Sequence, residues 1–231
     1  MRRSPAVGAG EYHQVAGRSL ERLAALSDGI FAVAMTILVF NLAVPAADAA
    51  RAVHRQSPLW ASGATGQEHV VWTVLGVMAP KLLACLLGFL TLGMFWLGQQ
   101  AQLDQLERAD RNLVWIHVFF LFGISMVPFA ISLIAAFTAS RLALLVYWLV
   151  LLFLGMIQLA GLGYVRRAGV IKSDAPDGAL AAIRRRILIV QALYAVSVAF
   201  GVIDTYISIA LIILLQLNSA VAPRFGLMHR L

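Results

Sequence analysis

Residues 22–45 read RLAALSDGIFAVAMTILVFNLAVP, and this stretch decides the fold. It opens with a charge pair, Arg22 and Asp28, and then runs uncharged from Gly29 to Ala47. As a helix that run crosses most of a bilayer's hydrocarbon core. A cluster of Pro, Ala and Asp ends it. Ser27 and Asp28 stand at its entrance, Thr36 in its middle and Asn41 near its exit. Polar groups in hydrocarbon are costly unless they face protein or water, so this helix is not expected to face lipid all round.

Val33, Thr36, Ile37, Phe40 and Val44 recur at spacings of three and four and share one helical face. Gly29, Ala32, Ala34 and Ala43 are small and suit close helix packing. Two readings follow from the pattern alone. The bulky face meets copies of itself around an axis, or it is ordinary core packing in a helix bundle.

The rest of the chain extends the membrane reading. Of 231 residues, 61% are hydrophobic and 13% charged, and charge-free runs of membrane length recur. The expected fold is an all-α integral membrane protein with six transmembrane helices. They cover about residues 22–45, 70–100, 112–137, 141–164, 184–203 and 205–222. Pro80 and Lys81 are expected to interrupt the second, and Pro128 to kink the third. Only Asp204 separates the fifth from the sixth, which predicts a tight hairpin. Residues 1–19 and 224–231 read as tails around a six-helix domain at 20–223. Residues 45–69 and 166–186 read as polar loops. No apolar core of signal-peptide length precedes residue 20, so the first helix is expected to be an uncleaved span.

Six spans put both tails on one side. Fourteen basic residues then fall on the side of the tails and four on the other, namely Arg51, Arg55, Lys81 and Arg141. The positive-inside rule places both termini in the cytoplasm. The same asymmetry accounts for the net charge of +7 without a nucleic-acid partner. The run Arg184, Arg185 and Arg186 anchors the topology or touches anionic headgroups.

Catalytic and metal chemistry have little to stand on. The single cysteine, Cys85, excludes an intrachain disulfide and a thiolate zinc site. His13, His54, His69, His117 and His229 are scattered, and His117 reads as an interfacial histidine near the cytoplasmic end of the third helix. No Gly-rich phosphate loop precedes a helix, and no Ser, His and carboxylate set lies at one depth. The chain is not expected to be an enzyme. Residues 161–165, GLGYV, echo a carbonyl ion filter, but such a filter needs a Thr-Val lead-in and a re-entrant loop. Here the fragment is followed by Arg166 and Arg167 and reads as a helix end.

Arg22, Leu26, Ser27, Asp28 and Gly29, with Ala32, Thr36 and Pro45, resemble the first helix of the transmembrane protein 175 family. That family comprises the lysosomal potassium channel of animals and its bacterial relatives. Its usual Phe is Leu26 here. Asn112 and Leu113 followed by Ser125, Pro128 and Phe129 resemble its third helix, and Phe95–Trp96 the end of its second. Gln99–Gln100 stands where bacterial members often carry a His pair, which removes the imidazoles of any network built on them. The resemblance covers about residues 22–133, and beyond that it rests on hydropathy.

The resemblance implies a potassium-selective channel of the bacterial cytoplasmic (inner) membrane, a homotetramer in the lipid bilayer with the first helix lining a central pore. The permeant ion is potassium, with no cofactor. Residues 20–223 are then the channel domain. Val33, Ile37 and Phe40 carry the apolar constriction rings, with Thr36 as the selectivity layer between them. Phe40 is larger and Val33 smaller than the family's usual residues, which moves the tightest ring toward Phe40. Arg22, Ser27, Asp28 and Gly29 form a structural lock at the cytoplasmic end, each charge pairing across to other helices. The alternatives are a secondary transporter with a mid-membrane substrate site and a membrane scaffold. A transporter calls for broken helices and charges near the midplane, and the first helix has neither in its middle.

Overall fold

The structure, a computed structural model, describes residues 20–42, 58, 60–61, 65–173, 176 and 178–221. Both expected tails, Pro45 and Val44 of the opening stretch and most of the loop at 45–69 lie outside the described residues. Six α-helices follow one another: α1 Leu20–Phe40, α2 Gly66–Leu103, α3 Arg111–Ala136, α4 Arg141–Ala168, α5 Ala179–Ala199 and α6 Thr205–Val221. A short 3₁₀ turn, Phe200–Val202, joins the last two. The first five (α5 with its 3₁₀ extension) are long and apolar enough to cross a membrane. α6 is apolar and has 17 residues, about 26 Å of rise, the short end of a spanning helix.

Local chemistry sets the helix ends. The Asp110 carboxylate accepts from Leu113 N at 2.9 Å and starts α3, satisfying one of the free N–H groups of the first turn. Ser140 does the same for α4. Gly169, at φ 62°, ends α4 in the left-handed conformation that glycine adopts without strain. Asp204 accepts from Tyr206 N at 2.6 Å where the chain turns into α6.

The helices depart from the sequence expectation chiefly at Pro80 and around the α4–α5 connection. α2 runs unbroken through Pro80 and Lys81. A proline inside a helix removes a single backbone bond, here to the Gly76 carbonyl, and membrane helices tolerate this where neighbours or water satisfy the freed group. α4 continues to Ala168 and α5 begins at Ala179, so Arg166, Arg167 and Arg184–Arg186 lie on helices and not in a loop. Residues 161–165 are fully helical, within the last turns of α4.

α3 packs against α1, α2 and α4, and α6 closes the bundle against α2 and α5. The main core joins Phe31 and Leu38 of α1 to Leu87, Ile124, Leu151 and Ile212. Glycines let the helices approach. A methyl at Gly88 would lie 2.8 Å from Leu38 Cδ1, and one at Gly123 2.7 Å from Leu154 Cδ2. A smaller core of Leu23, Leu106, Leu113, Val165 and Val170 seals one end. There Glu107 N donates to Val170 O and Lys172 N to Gln105 O, both at 3.0 Å, tying the α2–α3 and α4–α5 connections together.

Outside this core the helices present large apolar side chains, among them Trp72, Phe122, Phe129, Leu142 and Met156. Exposed apolar surface of that extent in water would drive aggregation; in a multi-pass membrane protein it faces hydrocarbon. Among the described residues, nine basic side chains sit at the end carrying the small core, and Lys81 and Arg141 in the opposite half. Arg141 donates to the carbonyls of Gly201 and Val202, at 3.2 and 2.9 Å.

Candidate functional site

α1 has two unlike faces. Leu23, Ser27, Phe31, Ala34 and Leu38 recur at helical spacing and are buried in the protomer. The opposite face carries Val33 at 58% exposed, Ile37 at 43% and Phe40 at 79%, with Gly29 and Thr36 also exposed. The bulky stripe therefore points away from its own core, and ordinary packing inside one bundle does not account for it. Gly29 keeps open space around it, with nothing within 4 Å of an added methyl.

Thr36 is the single hydroxyl on this face. Its Oγ1 donates to Ala32 O at 2.7 Å. The proton is thus committed to the helix's own carbonyl, and the hydroxyl oxygen keeps a lone pair turned outward. The face is otherwise uncharged from Gly29 to Phe40. It offers an ion no strong binding, only a neutral oxygen between apolar layers.

Polar contacts hold α1 by its ends. Ser27, fully buried, donates to Leu23 O at 2.8 Å and meets His117 Nε2 of α3 at 2.6 Å. The Gln99 amide of α2 reaches the same nitrogen at 3.0 Å. With the Ser27 proton on Leu23 O, Nε2 must carry the proton that Ser27 accepts. Gln99 then presents its carbonyl oxygen to the same N–H, since amide O and N are interchangeable in shape. Asp28 accepts from Trp96 Nε1 at 2.8 Å and from Gln100 Nε2 at 3.1 Å. At the other end Asn41 donates to Ser132 Oγ at 2.8 Å, and Ser132 donates to Pro128 O. Arg22 lies exposed one turn before Ser27 and is engaged within the structure.

The family's His pair is absent, yet a polar network stands at these positions. Gln99 and Gln100 themselves supply the contacts to His117 and Asp28. Sequence reasoning also missed a second polar knot. Gln216 of α6 donates to Thr91 Oγ1 at 2.8 Å and lies 3.3 Å from both Tyr147 and Tyr194 hydroxyls. The only signal was one glutamine in an apolar helix. Among the described residues, no group of three or more His, Cys, Asp or Glu side chains is placed to hold a metal.

Comparison with known proteins follows the same segment. The family model described as the endosomal/lysosomal potassium channel TMEM175 matches residues 22–128. A protein named a potassium channel in Streptomyces collinus (strain DSM 40733 / Tue 365) is 28% identical over 170 residues, 71% of this chain and 74% of that one. Another named a potassium channel, from Chryseobacterium sp. (strain P1-3), is 26% identical over 109 residues, 47% of this chain and 45% of its own. The crystal structure of a lysosomal potassium-selective channel TMEM175 homolog from Chamaesiphon minutus matches with a TM-score of 0.65 at 22% identity. It covers 87% of this chain and 96% of that one, a likeness of fold.

Proposed function

We propose that this chain, which belongs to the family of the endosomal/lysosomal potassium channel TMEM175 through residues 22–128, is itself a potassium channel of a bacterial cytoplasmic membrane. Four copies surround a central pore, α1 lines it, and both termini face the cytoplasm. The described helices then belong to one channel domain, 20–223. The observation that carries this reading is the exposed face of α1: Val33, Ile37 and Phe40 stand out from the protomer with Thr36 among them.

The physical logic runs from ring to ion. Apolar rings expel water from a narrow pore and close it without a moving plug. Removing all water from a small ion in a low-dielectric site costs on the order of tens of kcal/mol. Conduction therefore requires the rings to widen for a partly hydrated ion. Four Thr36 oxygens, their protons held by Ala32 carbonyls, replace part of that water and favour the ion that yields its shell more easily, potassium over sodium. Residues 161–165, the fragment that echoes a carbonyl filter, are helical, which supports a pore without one. Phe40, the most exposed of the three bulky side chains at 79%, forms the tightest ring.

Ser27, Asp28 and Gly29, with Arg22, serve this pore indirectly. Ser27 and Asp28 fix the cytoplasmic end of α1 to α2 and α3. Gly29 leaves room for the neighbouring copy.

Reconstitution tests the reading. Liposomes holding the purified protein are expected to pass potassium faster than sodium, and Thr36→Val, which keeps the shape and removes the oxygen, is expected to lose that preference while flux persists. Unaltered selectivity in Thr36→Val would reject the threonine layer. No cation flux from folded protein would reject the channel.

A further inference from the structure

A cavity of about 70 Å³ between α2, α4 and α5 plays no part in the α1 face. Two glycines hollow it out. A methyl at Gly98 would lie 3.4 Å from Gln158 Nε2, and one at Gly155 would collide with the Gln191 amide. Gln191 Nε2 donates to Leu151 O at 2.9 Å, while its Oε1 and Gln158 Nε2 have no partner among the described residues. Gln158 is only 8% exposed. A buried amide N–H left without an acceptor, in a cavity walled by Phe95, Ile187 and Val190, points to a ligand that supplies one.

Arg186 lines the same cavity. It also borders a groove of about 450 Å³ along α2, walled by Leu82, Leu86, Phe89 and Leu97. From Leu82 to Leu97 the helix rises about 22 Å, more than the roughly 15 Å that one leaflet contributes to the hydrocarbon core. The groove is thus long enough for an acyl chain, with a guanidinium shared between it and an amide donor. Arg184 and Arg185 precede Arg186 on α5, at the end of the bundle where the basic side chains gather. Anionic headgroups concentrate against such a surface.

We propose that Arg186 and Gln158 Nε2 hold the phosphate of an anionic glycerophospholipid, one of whose acyl chains lies in the α2 groove. Gln158 also lines a neighbouring cavity of about 40 Å³ with Gln99, Gln102 and His117. A filled site braces the side chains that hold Ser27, and so steadies α1.

Native mass spectrometry of the purified, delipidated protein tests this without any ion flux, so its failure is separable from failure of the channel reading. The probes are phosphatidylglycerol, phosphatidylcholine and soluble glycerol phosphate. Phosphatidylglycerol is expected to be retained in preference to phosphatidylcholine. Arg186→Gln is expected to weaken retention about fivefold, Arg186→Lys to restore most of it, and Arg185→Gln, at a residue that lines neither cavity, to weaken it clearly less. Gly93→Leu, which fills the groove at a position with nothing within 4 Å, is expected to lower retention as well. Equal binding of the two lipids, or equal losses in Arg186→Gln and Arg185→Gln, would overturn the site. Full competition by glycerol phosphate would make it a free-phosphate site. A Gly93→Leu protein that changes oligomeric state and keeps its lipid would assign the groove to a second copy of the chain. Either result refutes the proposal.

Discussion

Ser27 shows how one small side chain fixes a helix. Its hydroxyl is buried, bonded to its own helix at Leu23 O, and within 2.6 Å of His117 on α3. Ser27→Ala removes both bonds and leaves the imidazole with Gln99 alone. Hydrogen bonds inside membrane bundles average well under the value of an unsatisfied group in hydrocarbon, so we expect a loss of about 1 kcal/mol. In a chain of this size that is a melting shift of about 2–4 °C, read by thermal unfolding in detergent. Gln216→Leu is expected to cost more, because one amide serves Thr91, Tyr147 and Tyr194 on three different helices. A shift no larger than that of Ser27→Ala would reject that ranking.

At the scale of the element, α1 is amphipathic in an unusual sense, since both faces are apolar. One is filled by the chain's own core, and the other is exposed; the proposed pore gives that second face to neighbouring copies. Two glycines separate the roles. Gly88 of α2 sits where any side chain would strike Leu38 and Ile131. Gly88→Val is expected to destabilise the protomer by about 1–3 kcal/mol, lowering its melting temperature. Gly29 has open space in the protomer, so Gly29→Leu is expected to leave the protomer's helicity intact and lower the fraction of assembled protein on size exclusion. Unchanged assembly there would argue against a neighbouring copy at that face.

The stripe on α1 was legible in the sequence because a 3.6-residue period over an uncharged run places Val33, Thr36, Ile37 and Phe40 on one face whatever surrounds them. The sequence could not say which of the two faces its own bundle would take. That depends on α3, whose Ile124 and Ile131 complement Phe31 and Leu38. Pro80 misled because the proline rule describes a helix whose freed carbonyl has no remedy nearby. Gln99 and Gln100 were open in the sequence, because the resemblance attached to the imidazole ring. Their positions require only groups that reach His117 and Asp28, which amides do. The Gln216 knot left only a lone glutamine as its trace, since its partners come from three other helices, α2, α4 and α5.

Across the whole molecule, apolar surface and charge are divided in a way that a bilayer explains. Large apolar side chains cover the outside, and cations crowd one end of the bundle. A Gln-lined cavity and an apolar groove meet at Arg186 near that end. None of these features concentrates charge in the middle of α1. The pore claim thus rests on an apolar face, and the most direct test makes that face polar. Potassium flux into liposomes is measured for Ile37→Asn beside Leu149→Asn, an equally drastic change at an exposed position on α4. The account predicts that Ile37→Asn, by wetting a closed ring, raises flux several-fold over the unaltered protein, and that Leu149→Asn does not. Equal flux in all three proteins, each shown to be folded and assembled, would contradict it.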